Sequence, residues 1–177
     1  MKPRVHDPLR LDVAVAAAEG ASLTGRWPLA TLERLHTAGD GDLACDWHAQ
    51  FEQRHVAGEP APQVWMRLRA QTQVARDCQR CLQPVLLPLS VDRAFRFVPT
   101  EDEAAVLDAD SDDDVLAASP RFDLRALLED ELLLALPLVP KHEQCPAPWQ
   151  APEPAPPAAE HPFAALAALR RDADSKR

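Results

Sequence analysis

The side chains best suited to chemistry in this sequence are four cysteines, Cys45, Cys78, Cys81 and Cys145, and one histidine, His142. Cys78 and Cys81 form a C-x-x-C in "DCQRCLQP", and "KHEQC" places His142 and Cys145 at the same spacing. A C-x-x-C turn holds two thiolates at a separation and angle that suit one tetrahedral zinc, which needs two further Cys or His ligands. Cys78, Cys81, His142 and Cys145 supply that set. A closed site of this kind stabilises a small domain rather than performing a reaction. Two other readings of the pair stay open: free thiols, or a thiol oxidoreductase. Thioredoxin-like chemistry wants the first cysteine at a helix N-terminus, where the macrodipole favours the thiolate. Here Pro84 and another alternating stretch follow, which leaves Arg76 and Arg80 as the groups able to lower a thiol pKa.

Other chemistries find little support. "DADSDDDVLAAS" (Asp108–Ser119) begins like a calcium loop, but Asp113 replaces the glycine of the sharp turn and Ser119 the bidentate glutamate. There is no nucleophile elbow and no H-E-x-x-H, and five scattered glycines form no phosphate loop, so the sequence supports no enzyme class.

The elements that must position the cysteines can be read from periodicity. "LACDWHAQF" alternates, with Leu43, Cys45, Trp47, Ala49 and Phe51 on one face. "QVWMRLRAQTQVA" alternates again, with Val64, Met66, Leu68, Ala70 and Val74 inward and Trp65, Arg67, Arg69, Gln71 and Gln73 outward. "VLLPLSV" follows the cysteine pair, which therefore lies in the turn between two strands of an antiparallel meander. In "FDLRALLEDELLLALPLVP" the period changes: Asp123 caps, leucines recur at helical spacing and Pro137 stops the run, predicting a helix over Asp123 to Leu136. Nearer the N-terminus a strand is expected over Leu9–Val15 and a short helix in "WPLATLERLHTAG". The expected fold class is α+β: a mostly antiparallel sheet of four to six strands packed by one main helix, with an acidic loop and a Pro-rich C-terminal tail.

Length and charge fit one domain. The 177 residues predict a single α+β domain over 1–145, a Pro-rich linker over 146–162 and a short docking helix over 163–171, with Phe163 and Leu166 on its apolar side. Of the net charge of −9, eight acids fall in "EDEAAVLDADSDDD" (Glu101–Asp114), so the rest of the chain is close to neutral and 101–114 reads as a mobile acidic loop. No apolar run reaches a membrane span or a secretory segment, so a cytoplasmic protein with reduced thiols is expected. Trp65, Arg67, Arg69, Arg76, Arg80 and Arg96 would share the wet face or rim of the sheet, a basic surface with one aromatic for RNA or a partner. Glu129, Asp130 and Glu131 form an acidic belt on the helix that would attract a basic partner.

In order and spacing, "DCQRCLQP", the acidic connection, "FDLRALLEDELLLALPLVPKHEQC" and "HPFAALAALRR" resemble the YceD family of large ribosomal RNA subunit accumulation proteins. The sharpest features are the C-x-R-C of Cys78, Arg80 and Cys81, the E-D-E-x-x-L-x-L-P of Glu129–Pro137, and His142. The resemblance implies a cytoplasmic, non-enzymatic factor in synthesis, processing or stability of large-subunit (23S) ribosomal RNA, working on its precursor or through a ribosomal protein. It also implies a second cysteine pair in many relatives where this chain carries His142 and Cys145. The alternatives are the thiol oxidoreductase and a zinc-stabilised protein-binding adaptor; neither a membrane nor a small-molecule substrate is expected.

Overall fold

The computed structural model describes residues 5–146 other than 110 and 112; the expected linker and docking helix, with Phe163 and Leu166, lie outside the described residues. The elements run α1 (Val13–Ala18), β1 (Ser22–Pro28), β2 (Ala44–Arg54), β3 (Gln63–Asp77), β4 (Pro84–Val98), α2 (Glu101–Ala109), β5 (Asp114–Ala117) and α3 (Leu124–Leu134). The strands form one sheet in the order β1-β2-β3-β4-β5, antiparallel except for the parallel pair β4–β5. This is the expected α+β class. β3 and β4 make the longest pairing, from Val64↔Phe97 to Asp77↔Pro84, so the C-x-x-C falls in the turn that joins them.

Alternation decides which face is buried. Register puts Cys45, Trp47, Ala49 and Phe51 of β2 beside Met66, Leu68, Ala70 and Val74 of β3 and Leu89, Val91 and Phe95 of β4, all in one core cluster. α3 covers this inner face with Leu124, Leu128 and Leu132, each fully buried and each stabilising by about 1.5–3 kcal/mol relative to an exposed side chain. Asp123 Oδ1 accepts from the amides of Arg125 (2.9 Å) and Ala126 (3.1 Å), and the helix ends ahead of Pro137. Leu11 bridges Phe122 and ties the N-terminal segment to the chain entering α3.

Four sequence expectations need correction. Leu9–Val15 is not a strand: the Asp12 side chain accepts from the Val15 amide and opens helix α1, favoured by the alanines that follow. The stretch after Pro28 is two single 3₁₀ turns, Leu29–Thr31 and Ala38–Asp40. Between them the amides of Leu35 (3.2 Å) and His36 (2.8 Å) close one turn on Leu32 O, and the Glu129 carboxylate accepts the amides of Arg34 (2.6 Å) and Leu35 (3.1 Å), so the turn does not extend into an α-helix. The acidic segment is not a loop throughout. Thr100 Oγ1 accepts from the Glu103 amide, and Glu101, Asp102 and Glu103 occupy the first turn of α2, where negative charge complements the helix dipole. α2 then crosses from β4 to the parallel β5, and Ala104 packs with Val98 and Val115 on the face opposite α3. Finally, Trp65 points to the outer face but is only 5% exposed. The Arg54 guanidinium lies 4.1 Å from its ring centroid, and its Nε1 donates to Gln63.

One close approach on the inner face is specific to glycine. Trp47 lies over Gly25, where an added Cβ would meet the Trp47 ring at 2.5 Å, and Trp27 stacks on Trp47 with centroids 4.5 Å apart. Gly25→Ala therefore forces the indole pair apart. It is expected to lower the unfolding free energy in a denaturant titration by about 1–3 kcal/mol; an unchanged midpoint would show that the pair is not seated on Gly25.

Candidate metal centre

The β3–β4 turn is shaped by its own backbone. The Cys78 amide donates to Gln83 O (3.0 Å) and the Leu82 amide to Cys78 O (2.8 Å), and the chain reverses through Leu82 at φ 60°. The left-handed conformation is unusual for leucine, and closure of this tight turn imposes it. Beyond α3, Pro137 and Pro140 keep the chain from coiling, and the Gln79 amide donates to Pro140 O at 2.8 Å, laying residues 140–145 along the turn.

This contact brings the two halves of the cysteine–histidine set together. The ligand atoms of Cys78, Cys81, His142 and Cys145 all lie within 4.8 Å of one another. Cys78 Sγ is 3.8 Å from Cys145 Sγ, and Cys81 Sγ is 3.5 Å from His142 Nδ1. Ligands on a tetrahedral ion, with bonds of about 2.3 Å to sulfur and 2.0–2.1 Å to nitrogen, would be separated by about 3.8 Å and 3.6 Å for these two kinds of pair. The donors therefore fit one ion. His142 Nε2 lies 3.1 Å from Pro84 O; a proton on Nε2 satisfies that carbonyl and leaves the Nδ1 lone pair facing the sulfurs.

The electrostatics match the same use. Burial opposes the Cys78 thiolate, but the amides of His142, Arg80 and Cys81 aimed at its sulfur outweigh it and bring its pKa down to about 5. Cys81 shifts the other way: the Gln83 amide favours its thiolate, yet burial and the neighbouring Cys145 and Cys78 sulfurs prevail and raise its pKa. Three sulfurs this close cannot all ionise cheaply without a cation between them. The fourth cysteine, Cys45, is separate. It is fully buried in β2 and pushed up to about 11, chiefly by burial, then by the charge of Asp46.

The other residues singled out in the sequence fall elsewhere. Arg80, expected on a binding surface, lies at the cluster, with Nε 2.9 Å from Cys145 Sγ and Nη2 3.1 Å from His142 O. Its place between Cys78 and Cys81 was the signal that it had to sit beside the sulfurs. Arg67 and Arg69 are on the open outer face, but both turn to Asp92: Arg67 forms a bidentate pair at 2.7 and 2.9 Å, and Arg69 lies at 3.3 Å. The Arg67 guanidinium holds the Asp92 carboxyl below the usual range. Arg26, Arg54 and Arg96 also stand beside carboxylates, so the outer face is nearly charge-balanced rather than basic. The acidic belt is not free either. Glu129 is buried against Arg34 and Leu35, Asp130 pairs with Arg34, and Glu131 has Arg93 at 3.7 Å while burial raises its pKa. Arg34 was missed in the sequence because its partners lie on a distant helix.

Comparison with known proteins bears on the same region. Residues 66–170 match the family model described as large ribosomal RNA subunit accumulation protein YceD, a span that includes the turn, α3 and all four clustered residues. The chain is also 28% identical over 149 residues to a Haemophilus influenzae protein named large ribosomal RNA subunit accumulation protein YceD, covering 80% of each chain. No solved structure matches it.

The burial pattern predicts selective thiol labelling. In the reduced, chelator-treated protein, a thiol reagent should modify the half-exposed Cys81 and Cys145 under native conditions, with Cys45 reacting only after denaturation. Peptide mapping that finds Cys45 labelled in the native protein would contradict its placement in the core.

Proposed function

The chain belongs to the YceD family, and on that premise we propose that it is a non-enzymatic factor in synthesis, processing or stability of large-subunit (23S) ribosomal RNA. The observation that carries this reading is the family match across most of β3 to the region beyond the cluster, joined by a relative whose name states large ribosomal RNA subunit accumulation. A cytoplasmic location follows from that role. Among the described residues no helix is long and apolar enough to cross a membrane.

We infer that the ion held by Cys78, Cys81, His142 and Cys145 is zinc. Three thiols and one imidazole form a soft donor set of the type that selects zinc over calcium or magnesium, and with four protein ligands no coordination position remains for a substrate. When bound, zinc supplies a cross-link rather than a reaction. Cys78 and Cys81 hold it on the β3–β4 turn, and His142 and Cys145 hold it on the chain leaving α3. The low Cys78 pKa fits a metal ligand, and the Cys78 sulfur lies 3.8 Å from that of Cys145, across the two halves of the set.

The partner on this reading is the large-subunit RNA precursor, or a basic ribosomal protein or assembly factor bound to it. The uncovered outer face offers polar side chains such as His48, Gln50, Gln71 and Ser90 between its ion pairs, with the Arg67 and Arg69 charges sharing the single carboxylate of Asp92. Contacts of this kind are moderate in strength and salt-sensitive.

Deleting the gene is expected to lower the ratio of large- to small-subunit ribosomal RNA, with restoration by the wild-type chain and weaker restoration by a Cys78→Ser, Cys145→Ser double variant. An unchanged ratio in cells that normally contain the protein would contradict the function. In native mass spectrometry one zinc per chain is expected for the wild type and none for the double variant.

A further inference from the structure

Arg80 makes three contacts that no metal ligand role explains. Its Nε donates to Cys145 Sγ at 2.9 Å, and its Nη2 donates to the carbonyls of His142 at 3.1 Å and Glu143 at 3.4 Å. The side chain leaves the backbone between Cys78 and Cys81 and reaches across to the H-x-x-C arm, so one guanidinium spans the two ligand pairs while supplying no ligand itself. We propose that Arg80 is the positioning residue of the metal centre: it draws the His142–Cys145 arm onto the C-x-x-C turn and compensates the surplus negative charge of a three-thiolate site.

Three thiolates and one neutral imidazole around a divalent cation leave one net negative charge, and the Arg80 guanidinium brings the centre to neutrality. A hydrogen bond to a bound thiolate also removes electron density from the sulfur, which tunes the metal–sulfur bond and protects it from protonation. Geometry favours arginine over lysine, because the fixed fork reaches a sulfur and a carbonyl through different nitrogens, whereas an ammonium is a point charge. Arg76, the other arginine near the turn, is placed differently, turned toward Asp40 and Leu35 O.

This inference rests on the zinc reading above, and the test separates the two. Full-length wild type, Arg80→Gln, Arg80→Lys and the outer-face control Arg67→Gln are stripped of metal under reducing conditions. Each is then titrated with zinc against a chromophoric chelator and with cobalt(II), read by absorbance. The wild type and Arg67→Gln are expected to bind one equivalent with equal affinity. Arg80→Gln is expected to bind about 10–100-fold more weakly, and its thiolate-to-cobalt charge-transfer band should move to lower energy as Cys145 loses its hydrogen bond. Arg80→Lys should fall between, retaining charge but losing the fork. Arg80 is exposed, so circular dichroism and the metal-free melting temperature should match the wild type. Arg80→Gln with wild-type affinity and an unshifted band would overturn the role of Arg80 while leaving the zinc centre standing. A wild type that takes up neither metal would overturn both.

Discussion

A single sheet with one apolar face must be covered, and here Val13, Ala16 and Ala17 of α1, Leu29, Leu32 and Leu35 of the following segment, and Leu124, Leu128 and Leu132 of the 11-residue helix α3 cover it together. The fold depends on keeping that helix in place. Its N-terminus is fixed by the Asp123 cap and the bridge between Phe122 and Leu11. Its middle is fixed by Glu129, a buried carboxylate that accepts the amides of Arg34 and Leu35 and lies 3.1 Å from Arg34 Nε. Such a group is stable only because every contact is a charge-assisted donor; left unpaired, it would favour opening. Residues 32–36 form a turn closed by the Leu35 and His36 amides on Leu32 O, and the same Glu129 bonds anchor that turn to α3.

The exit of α3 has no comparable packing. Leu134, Leu138 and Val139 are exposed, and the segment is rich in proline, so burial alone does not hold it. What fixes it is polar: the Gln79 amide to Pro140 O, His142 to Pro84 O, Arg80 to His142 O, and the four converging donors. A tetrahedral ion is an economical way to order such a segment, since its binding free energy acts as folding free energy at the one place where the core supplies little. Chemistry thus sits where packing ends, and the residues matching the family in this half of the chain fall on both sides of that junction.

Legibility followed the length scale of each signal. β2, β3, β4 and α3 could be read because their periodicity is long and their buried and exposed faces differ; Cys45, Met66, Leu68 and Leu128 are all buried as their spacing required. The grouping of Cys78, Cys81, His142 and Cys145 could be read as a set because their spacing is local within each half. β1 was missed because Gly25 and Pro28 interrupt its alternation, and β5 because it is four residues long and follows a run of acids. Glu129 and Trp65 were misjudged for a different reason. Each sits on an element whose pattern is correct, but its partner, Arg34 or Arg54, comes from elsewhere in the sheet or from a loop, and no local pattern announces a long-range pair.

The central claim is that a metal-bound cluster ties the exit of α3 to the β3–β4 turn. Amide hydrogen exchange, compared between the zinc-loaded and chelator-treated full-length protein, tests this at the bonds that make the tie. Removal of zinc is predicted to accelerate exchange first and most at Gln79, Leu82 and His142, whose amides donate to Pro140 O, Cys78 O and Cys78 Sγ, ahead of the strand amides of β2 and β3. Identical exchange at these three amides with and without the metal would contradict the account.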